Sequence, residues 1–292
     1  MSIFSGLEHI VREHEPLAGY TWFRLGGAAE YFAEPTNQQE LAELVKRSRA
    51  ASLPVRILGG GSNVLVRDTG VPGLVVHLTA PTFSALSFEG NRVVAGGGAK
   101  LGHVISAAVR EGLGGLEPLV GIPGSIGGAL HGNASSHECD IGQWTRSAIV
   151  MTHEGDIQER GPKELRFAYR QSSLDELVIL SATFELERES SAELTRQMQQ
   201  LWIVKKANQP MSDTCAGHIF KDAPGASAAE LIEQADLRGA QVGGVAVSER
   251  NANFFVARAG AKSSDVMELI EHVKSTVQER LGERLELALD IW

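Results

Sequence analysis

Apolar positions change period from segment to segment along the chain, and each change marks a predicted element. Leu7, Ile10 and Val11 lie three and four apart, which predicts a short helix over Leu7 to Glu13 with those side chains inward. Thr36 followed by Gln39 has the spacing of a capping box, and Leu41, Leu44 and Val45 continue a helical face, so a helix is predicted from Thr36 to about Ala51. Val55 to Leu58, Val64 to Val66 and Leu74 to Leu78 are short aliphatic runs and read as strands. The first stretch is therefore a small α/β unit ending near residue 80.

Arg92 to Ala95 then reads as a strand, and Leu101 to about Glu111 as a helix with Val104, Ile105, Ala108 and Val109 on its apolar side. Ser147 to Thr152 and Leu177 to Leu186 read as strands. In the latter Val178, Leu180, Ala182, Phe184 and Leu186 fall on alternate positions, the pattern of a half-buried antiparallel strand. Ser190 to Lys206 is a polar helix leading past Gln209-Pro210 into a third part. That part holds a helix from Ala228 to Ala235, a Gly243-Gly244 turn, a strand around Asn253 to Val256 and one long helix. In the long helix Val266, Leu269, Ile270, Val273, Val277 and Leu281 recur at helical spacing; Ser264 is placed to cap it and Gly282 to stop it. Leu285 to Ile291 alternates as a terminal strand, which puts Glu286, Ala288 and Asp290 on one face. The expected division is 1–80, 81–205 and 206–292, an α+β chain without internal repeat or low-complexity tract.

Composition narrows the function classes. The 292 residues are 43% hydrophobic and 22% charged, as in a soluble globular protein with a sizeable core. The formal charge of −9, with no concentrated basic patch, argues against nucleic-acid and anionic-membrane partners. Cys139 and Cys215 are too few for a disulfide framework and have no second ligand pair at zinc-site spacing, so no metal is expected. The N-terminus lacks a basic region followed by an apolar core, and no run reaches the ~18 apolar residues of a membrane span. A cytoplasmic monomer is the expectation.

The chemistry concentrates in glycine. Val120 to Ala129 carries four glycines and Pro123, leaving main chain with little side-chain cover. Gly59-Gly60-Gly61-Ser62-Asn63 follows the Val55 to Leu58 strand, and Gly96-Gly97-Gly98 follows Arg92 to Ala95. Consecutive N–H groups in such turns form a concave nest that takes phosphate oxygens without a basic side chain. The Gly59 cluster is no Rossmann fingerprint, since Val64 stands at the third glycine, and no Walker loop, since no Gly-Lys-Ser/Thr follows. Any one cluster alone is as well explained by a tight turn. Three of them following strands favour a diphosphate ligand.

These segments, in this order, resemble the UDP-N-acetylenolpyruvoylglucosamine reductase family: Leu58-Gly-Gly-Gly-Ser-Asn-Val-Leu, Gly121-Ile-Pro-Gly-Ser-Ile-Gly-Gly-Ala, Tyr169-Arg170-Gln-Ser, Ala216-Gly217-His218-Ile219-Phe220-Lys221 and Val247 to Phe254. The resemblance spans nearly the whole chain. Thr21 to Gly27 is similar to the family's N-terminal Thr and Gly-Gly segment, with Tyr20 where Asn is usual. It implies two α/β subdomains that form an FAD-binding fold of the vanillyl-alcohol-oxidase type, followed by a C-terminal α+β substrate domain. It also implies NADPH as reductant and reduction of the enolpyruvyl ether of a UDP-sugar to UDP-N-acetylmuramate for peptidoglycan. No tyrosine-bearing insertion stands between Tyr169 and Ser181, which is like the shorter branch. The cofactor positions carried over are Gly59, Gly60, Gly61, Ser62, Asn63, Gly121, Pro123, Gly124, Ser125, Gly128, Asn133 and Ala134. After Asn133 the family continues Ala-Gly-Ala-Tyr-Gly, whereas here Ala134-Ser135-Ser136-His137-Glu138-Cys139 follows.

The resemblance also implies a catalytic set. Arg170 matches the arginine of the Tyr-Arg-x-Ser motif, and a planar guanidinium suits a two-oxygen carboxylate. His218 stands where the family has serine, sometimes cysteine, as proton donor; the imidazole either donates the proton or fills the pocket. Phe220-Lys221 fixes the register, so Cys215 is not that cysteine. The family's catalytic glutamate falls on Ala288. Glu286 and Asp290 lie two residues away, roughly 6.5 to 7 Å along a strand, and Glu286 is the candidate replacement. Tyr169, Lys221 and Asn253 are expected to face the UDP-sugar, with Asp222-Ala223-Pro224 in place of the usual Asn-Pro after the lysine and Asn251 in place of a histidine. A second reading is a flavin-binding homologue that has lost this reaction or takes another substrate; a third is a nucleotide-binding protein without flavin.

Overall fold

Parallel pairing organises the first strands, and it requires a crossover. Val55–Leu58 runs parallel to Val71–His77, and the sheet continues through Ala28–Ala33 to Val11–Pro16. The helix Gln38–Ala50 covers this sheet with Leu41, Leu44 and Val45, which pack against Leu74 and Val76. The computed structural model describes residues 3–136, 139–210 and 214–292. Among these residues the chain forms two compact units, one from the stretches 3–15, 29–60 and 72–203, the other from 16–28, 61–71 and 204–292.

The first unit also holds a five-stranded antiparallel sheet ordered Ile157–Arg160, Thr145–Met151, Val178–Glu185, Arg92–Gly96, Leu86–Glu89. Its central strand buries Val178, Leu180, Ala182 and Phe184, as the alternation requires. The helix Leu101–Arg110 lays Val104, Ile105 and Ala108 on the same core, together with Ile126 and Leu130 of a six-residue helix, Ile126–His131. The polar helix runs Ser191–Asn208.

In the second unit Ala228–Gln234 and Ser263–Leu281 pack with a three-stranded sheet, Gln241–Val242, Val245–Val247 and Phe255–Ala257, around Phe220, Phe255, Leu269, Ile270 and Val273. Asp290–Ile291 pairs parallel with Val64–Leu65.

Four local expectations change. Leu7 to Glu13 is not a helix: single turns link Leu7 to Phe4 and Ile10 to Leu7, after which Val11 enters a strand. So short a segment pays for helix nucleation without propagation to offset it. The first helix is capped by Asn37, whose Oδ1 accepts the Glu40 N–H at 2.9 Å; Glu40 takes the N–H and hydroxyl of Thr36, the residue before the cap, so the cap lies one residue after the expected Thr36 and Gln39 has no part in it. Ser264 lies inside the last long helix, not at its cap. Gly282 ends that helix at φ +76°, as its position suggested. From Leu285 to Ile291 only the last two residues form a strand, because Phe220 and the side chain of Asn63 take up the backbone at Leu287 and Ala288 instead.

Candidate functional site

In the first unit the two glycine segments meet backbone to backbone. A β-carbon added at Gly60 would stand 2.6 Å from the α-carbon of Gly124, and one at Gly59 would stand 2.7 Å from Ser125 Oγ. Gly121 and Gly124 take φ of +81° and +123°, which only glycine adopts at little cost. The arch is pinned by Leu101 N–H to Gly124 O at 3.0 Å, Ile126 N–H to Ala99 O at 2.9 Å and Gly127 N–H to Gly97 O at 2.7 Å. Ser125 caps the Ile126–His131 helix by accepting the Gly128 N–H at 3.3 Å. The two loops thus meet with no room for a side chain between Gly60 and Gly124, and glycine-rich main chain with so little side-chain cover is a surface that a diphosphate-bearing group such as FAD can approach closely. Such a group needs close approach to N–H donors rather than side-chain contacts.

The six-residue helix leads straight to Arg170. At its end Asn133 is 2% exposed and left-handed, with φ +43°. Its Nδ2 donates to Ala168 O at 3.0 Å and its Oδ1 accepts the Gly142 N–H at 3.1 Å. Ala168 closes the Phe167–Ala168 and Gln171–Ser172 hairpin, whose two-residue tip is Tyr169-Arg170. Ser172 Oγ donates to His131 O at 3.0 Å, and His131 Nδ1 bonds Leu174 O at 3.1 Å. Arg170 itself is left-handed at φ +58°, as a two-residue hairpin tip requires of a central residue. Its guanidinium carbon lies 5.7 Å from the centre of the Tyr169 ring, which is 48% exposed. Ala134 is buried and its N–H bonds Ala129 O. The sequence leaves the family pattern from Ser135, where Ser135–Ser136 pairs with Cys139–Asp140; His137 and Glu138 lie outside the described residues.

In the second unit Ser62 O accepts the Gly217 N–H at 2.8 Å. Asn63 Nδ2 donates to Ala288 O at 2.8 Å, while Asn63 O accepts the Asp290 N–H. A β-carbon on Gly61 would strike Tyr20 O. The side-chain amide of Asn63 thus holds the C-terminal segment. His218 stands edge-on to Phe254, ring centres 5.0 Å apart at 82°. Ile219 O accepts the Ala288 N–H and Lys221 N–H reaches Glu286 O at 2.8 Å, which brings the 218–221 and 286–288 segments side by side. Glu286 is 77% exposed on its side chain and ion-pairs with Lys221 at 3.6 Å. Asn253, 1% exposed, spends its side chain on Phe220, accepting its N–H and donating to its O, each at 2.8 Å. This differs from the expectation that Asn253 faces the sugar: its amide is committed to backbone, and its work is to hold the His218 to Lys221 segment. Sequence reading missed Asp68, whose carboxylate accepts the Ser263 and Ser264 N–H groups at 3.0 and 3.2 Å and so caps the last long helix from outside it. Burial alone would raise its pKa; these hydrogen bonds outweigh that and hold it below the usual carboxylate value. Among the described residues, no group of His, Cys, Asp and Glu could hold a metal and no helix is long and apolar enough to cross a membrane.

Comparison with known proteins agrees with this geometry. Residues 29–161 match the domain family described as FAD binding domain, and residues 209–292 match the C-terminal domain of UDP-N-acetylenolpyruvoylglucosamine reductase. The chain is 41% identical to the UDP-N-acetylenolpyruvoylglucosamine reductase of Rhodopirellula baltica over 98% of its own length and 94% of the relative's. It is 38% identical to that of Listeria innocua over 96% and 94%. The crystal structure of the Thermus caldophilus enzyme superposes with a TM-score of 0.83 at 34% identity, covering 97% of this chain and 99% of that one. With the matches running end to end and both expected domains present, this chain belongs to the UDP-N-acetylenolpyruvoylglucosamine reductase family.

Proposed function

We propose that this protein is an FAD-dependent oxidoreductase that uses NADPH to reduce the enolpyruvyl ether of UDP-N-acetylglucosamine to UDP-N-acetylmuramate, a step of peptidoglycan precursor synthesis. The observation that carries the reading is the arginine at a left-handed hairpin tip, tied by Asn133 and Ser172 to the helix that springs from the glycine arch. FAD, when bound, supplies the hydride that passes from NADPH to the terminal carbon of the substrate. Gly59, Gly60, Gly121, Gly124, Ser125 and Gly128 would hold it through main chain and cap, with Gly61, Ser62 and Asn63 continuing the first loop.

The protein's own part is charge and proton. As the terminal carbon gains hydride, negative charge spreads onto the substrate carboxylate, where the Arg170 guanidinium binds both oxygens. His218 gives a proton to the α-carbon, and the edge contact with Phe254 holds the imidazole plane. Lys221 and Tyr169 bind the UDP-sugar, and Glu286 orients Lys221 through their ion pair. We further take the protein to act as a cytoplasmic monomer without nucleic-acid or membrane partners, to serve cell shape and division through the wall, and to divide at residues 80 and 205.

One observation favours a second reading, a flavoprotein of this family that has lost the reaction. Ala288 offers no carboxylate, and its carbonyl is taken by Asn63. One assay separates the two: purified protein is scanned for flavin absorbance, and NADPH oxidation is followed with and without the enolpyruvyl UDP-sugar. Substrate-dependent oxidation supports reduction of that ether. Bound flavin without it supports the second reading.

A further inference from the structure

The buried amide of Asn133 is spent on two backbone groups, and both lie on the route to Arg170. Nδ2 holds Ala168 O, one residue before the Tyr169-Arg170 tip, and Oδ1 holds the N–H of Gly142 in the short helix Ile141–Trp144. Its own N–H bonds Leu130 O at 3.2 Å, so backbone and side chain are both engaged. Asparagine also suits the left-handed backbone here better than most residues. On the other strand of the hairpin Ser172 Oγ donates to His131 O and accepts the Leu174 N–H at 3.3 Å. Both strands are therefore fastened to the C-terminal end of the same six-residue helix, about 9 Å long. That helix begins at Ser125 in the glycine arch. It works as a spacer between the arch and the guanidinium.

We infer that Asn133 and Ser172 are positioning residues for Arg170, setting how far the guanidinium stands from the glycine arch, and that the Asn133 side chain is not a flavin ligand. The inference rests on the proposed role of Arg170 toward the substrate carboxylate. A misplacement of about 1 Å at a charge-stabilising group can cost on the order of 100-fold in rate.

The test is stopped-flow kinetics on the flavin-loaded enzyme, with the two half-reactions measured apart. Asn133→Asp keeps the size, the left-handed tolerance and the acceptor for Gly142, but sets a carboxylate oxygen against Ala168 O. Expected are wild-type flavin content, wild-type reduction by NADPH, and reoxidation by the enolpyruvyl UDP-sugar slowed roughly 100-fold. Arg170→Lys in the Asn133→Asp background should add much less than it does alone, the mark of residues that act as one unit. Flavin loss, or NADPH reduction slowed as much as reoxidation, makes Asn133 a cofactor residue and overturns the inference. Should Asn133→Asp fail to fold, Ser172→Ala decides by the same readout, and wild-type reoxidation there overturns it equally. Arg170→Lys alone reoxidising at the wild-type rate would instead remove the carboxylate contact itself, an outcome distinct from failure of the Asn133 variant.

Discussion

Replacing Gly60 with alanine tests the claim that the two glycine loops close on each other to make the cofactor seat. The new carbon would sit 2.6 Å from the Gly124 α-carbon, whereas ordinary contact begins at 3.4 Å, so the loops must part by 3.4 − 2.6 = 0.8 Å. Gly124 cannot retreat by itself: its carbonyl is bound by Leu101 N–H, and Ile126 and Gly127 behind it are bound to Ala99 and Gly97. Overpacking of this kind costs about 1–3 kcal/mol. Spent on the atoms that hold the cofactor, that is roughly a 5- to 150-fold loss of FAD affinity. The assay is FAD titration of flavin-stripped protein by fluorescence quenching, with thermal melts of the same samples. Gly161→Ala is the control, because nothing lies within 4 Å of its added carbon. If Gly60→Ala binds FAD as wild type and Gly161→Ala do, the meeting of these two loops is not the seat and the cofactor positions at Gly60 and Gly124 fail.

Other substitutions probe separate parts of the argument. Gly102→Ala, in the first turn of the Leu101–Arg110 helix with open space around it, should raise stability by up to about 1 kcal/mol in a denaturant melt; destabilisation would contradict the helical backbone there. Asn253→Ala strands the buried N–H and C=O of Phe220, at about 1–3 kcal/mol for each group, and should lower the melting temperature by several degrees even without ligand. An unshifted melt with a raised KM would return Asn253 to substrate contact. His218→Ala should slow reoxidation of reduced enzyme by about 100-fold or more while leaving NADPH reduction intact; unchanged turnover removes the imidazole from proton delivery. Asp68→Ala should cost about 1 kcal/mol at most at neutral pH, since its carboxylate is water-exposed. A depressed carboxylate pKa contributes stability above its unfolded value of 3.8 and loses it as pH falls through the lower folded value, so the difference between variant and wild type should shrink as pH falls below 3.8. A difference that stays constant through that fall refutes the charged cap.

The elements that sequence located well are those whose apolar period is long and whose ends carry their own signals. The helix at 263–281 shows six apolar positions at helical spacing and stops at a glycine that adopts φ +76°. The strand at 178–185 alternates from Leu180 onward, with Ile179 buried beside Val178 as well. Where the pattern misled, the deciding partner was distant in sequence. The cap of the last long helix comes from Asp68, some 195 residues away, and the end of the chain is held by Asn63, 225 residues from Ala288. Alternating residues at 285–291 record which side chains are buried, not which backbone groups are paired, so a strand was expected where a single bridge and a side-chain amide do the holding.

The site divides along a similar line. Glycine is legible because what it permits is written in its lack of a side chain, and the loops at 59–61 and 121–128 could be singled out without any partner in view. Arginine in Tyr-Arg-x-Ser was legible by likeness to a family. Asn133, Ser172 and Asn253 were not, because an amide or hydroxyl in a motif can face a ligand or face backbone, and only burial and hydrogen-bond direction separate the two. In this chain each of the three is turned inward: Asn253 onto Phe220, Asn133 onto Ala168 and Gly142, Ser172 onto His131. Gly121, Gly124 and Arg170 lie at turns with positive φ, while the buried amides of Asn133 and Asn253 are bonded to backbone. The departures at His218 and Ala288 lie on neighbouring segments, with bonds from Asn253 to Phe220 and from Asn63 to Ala288 beside them. On the proposed mechanism this sequence's divergence sets a different proton donor on a segment held by Asn253, and His218→Ala is the substitution that measures it.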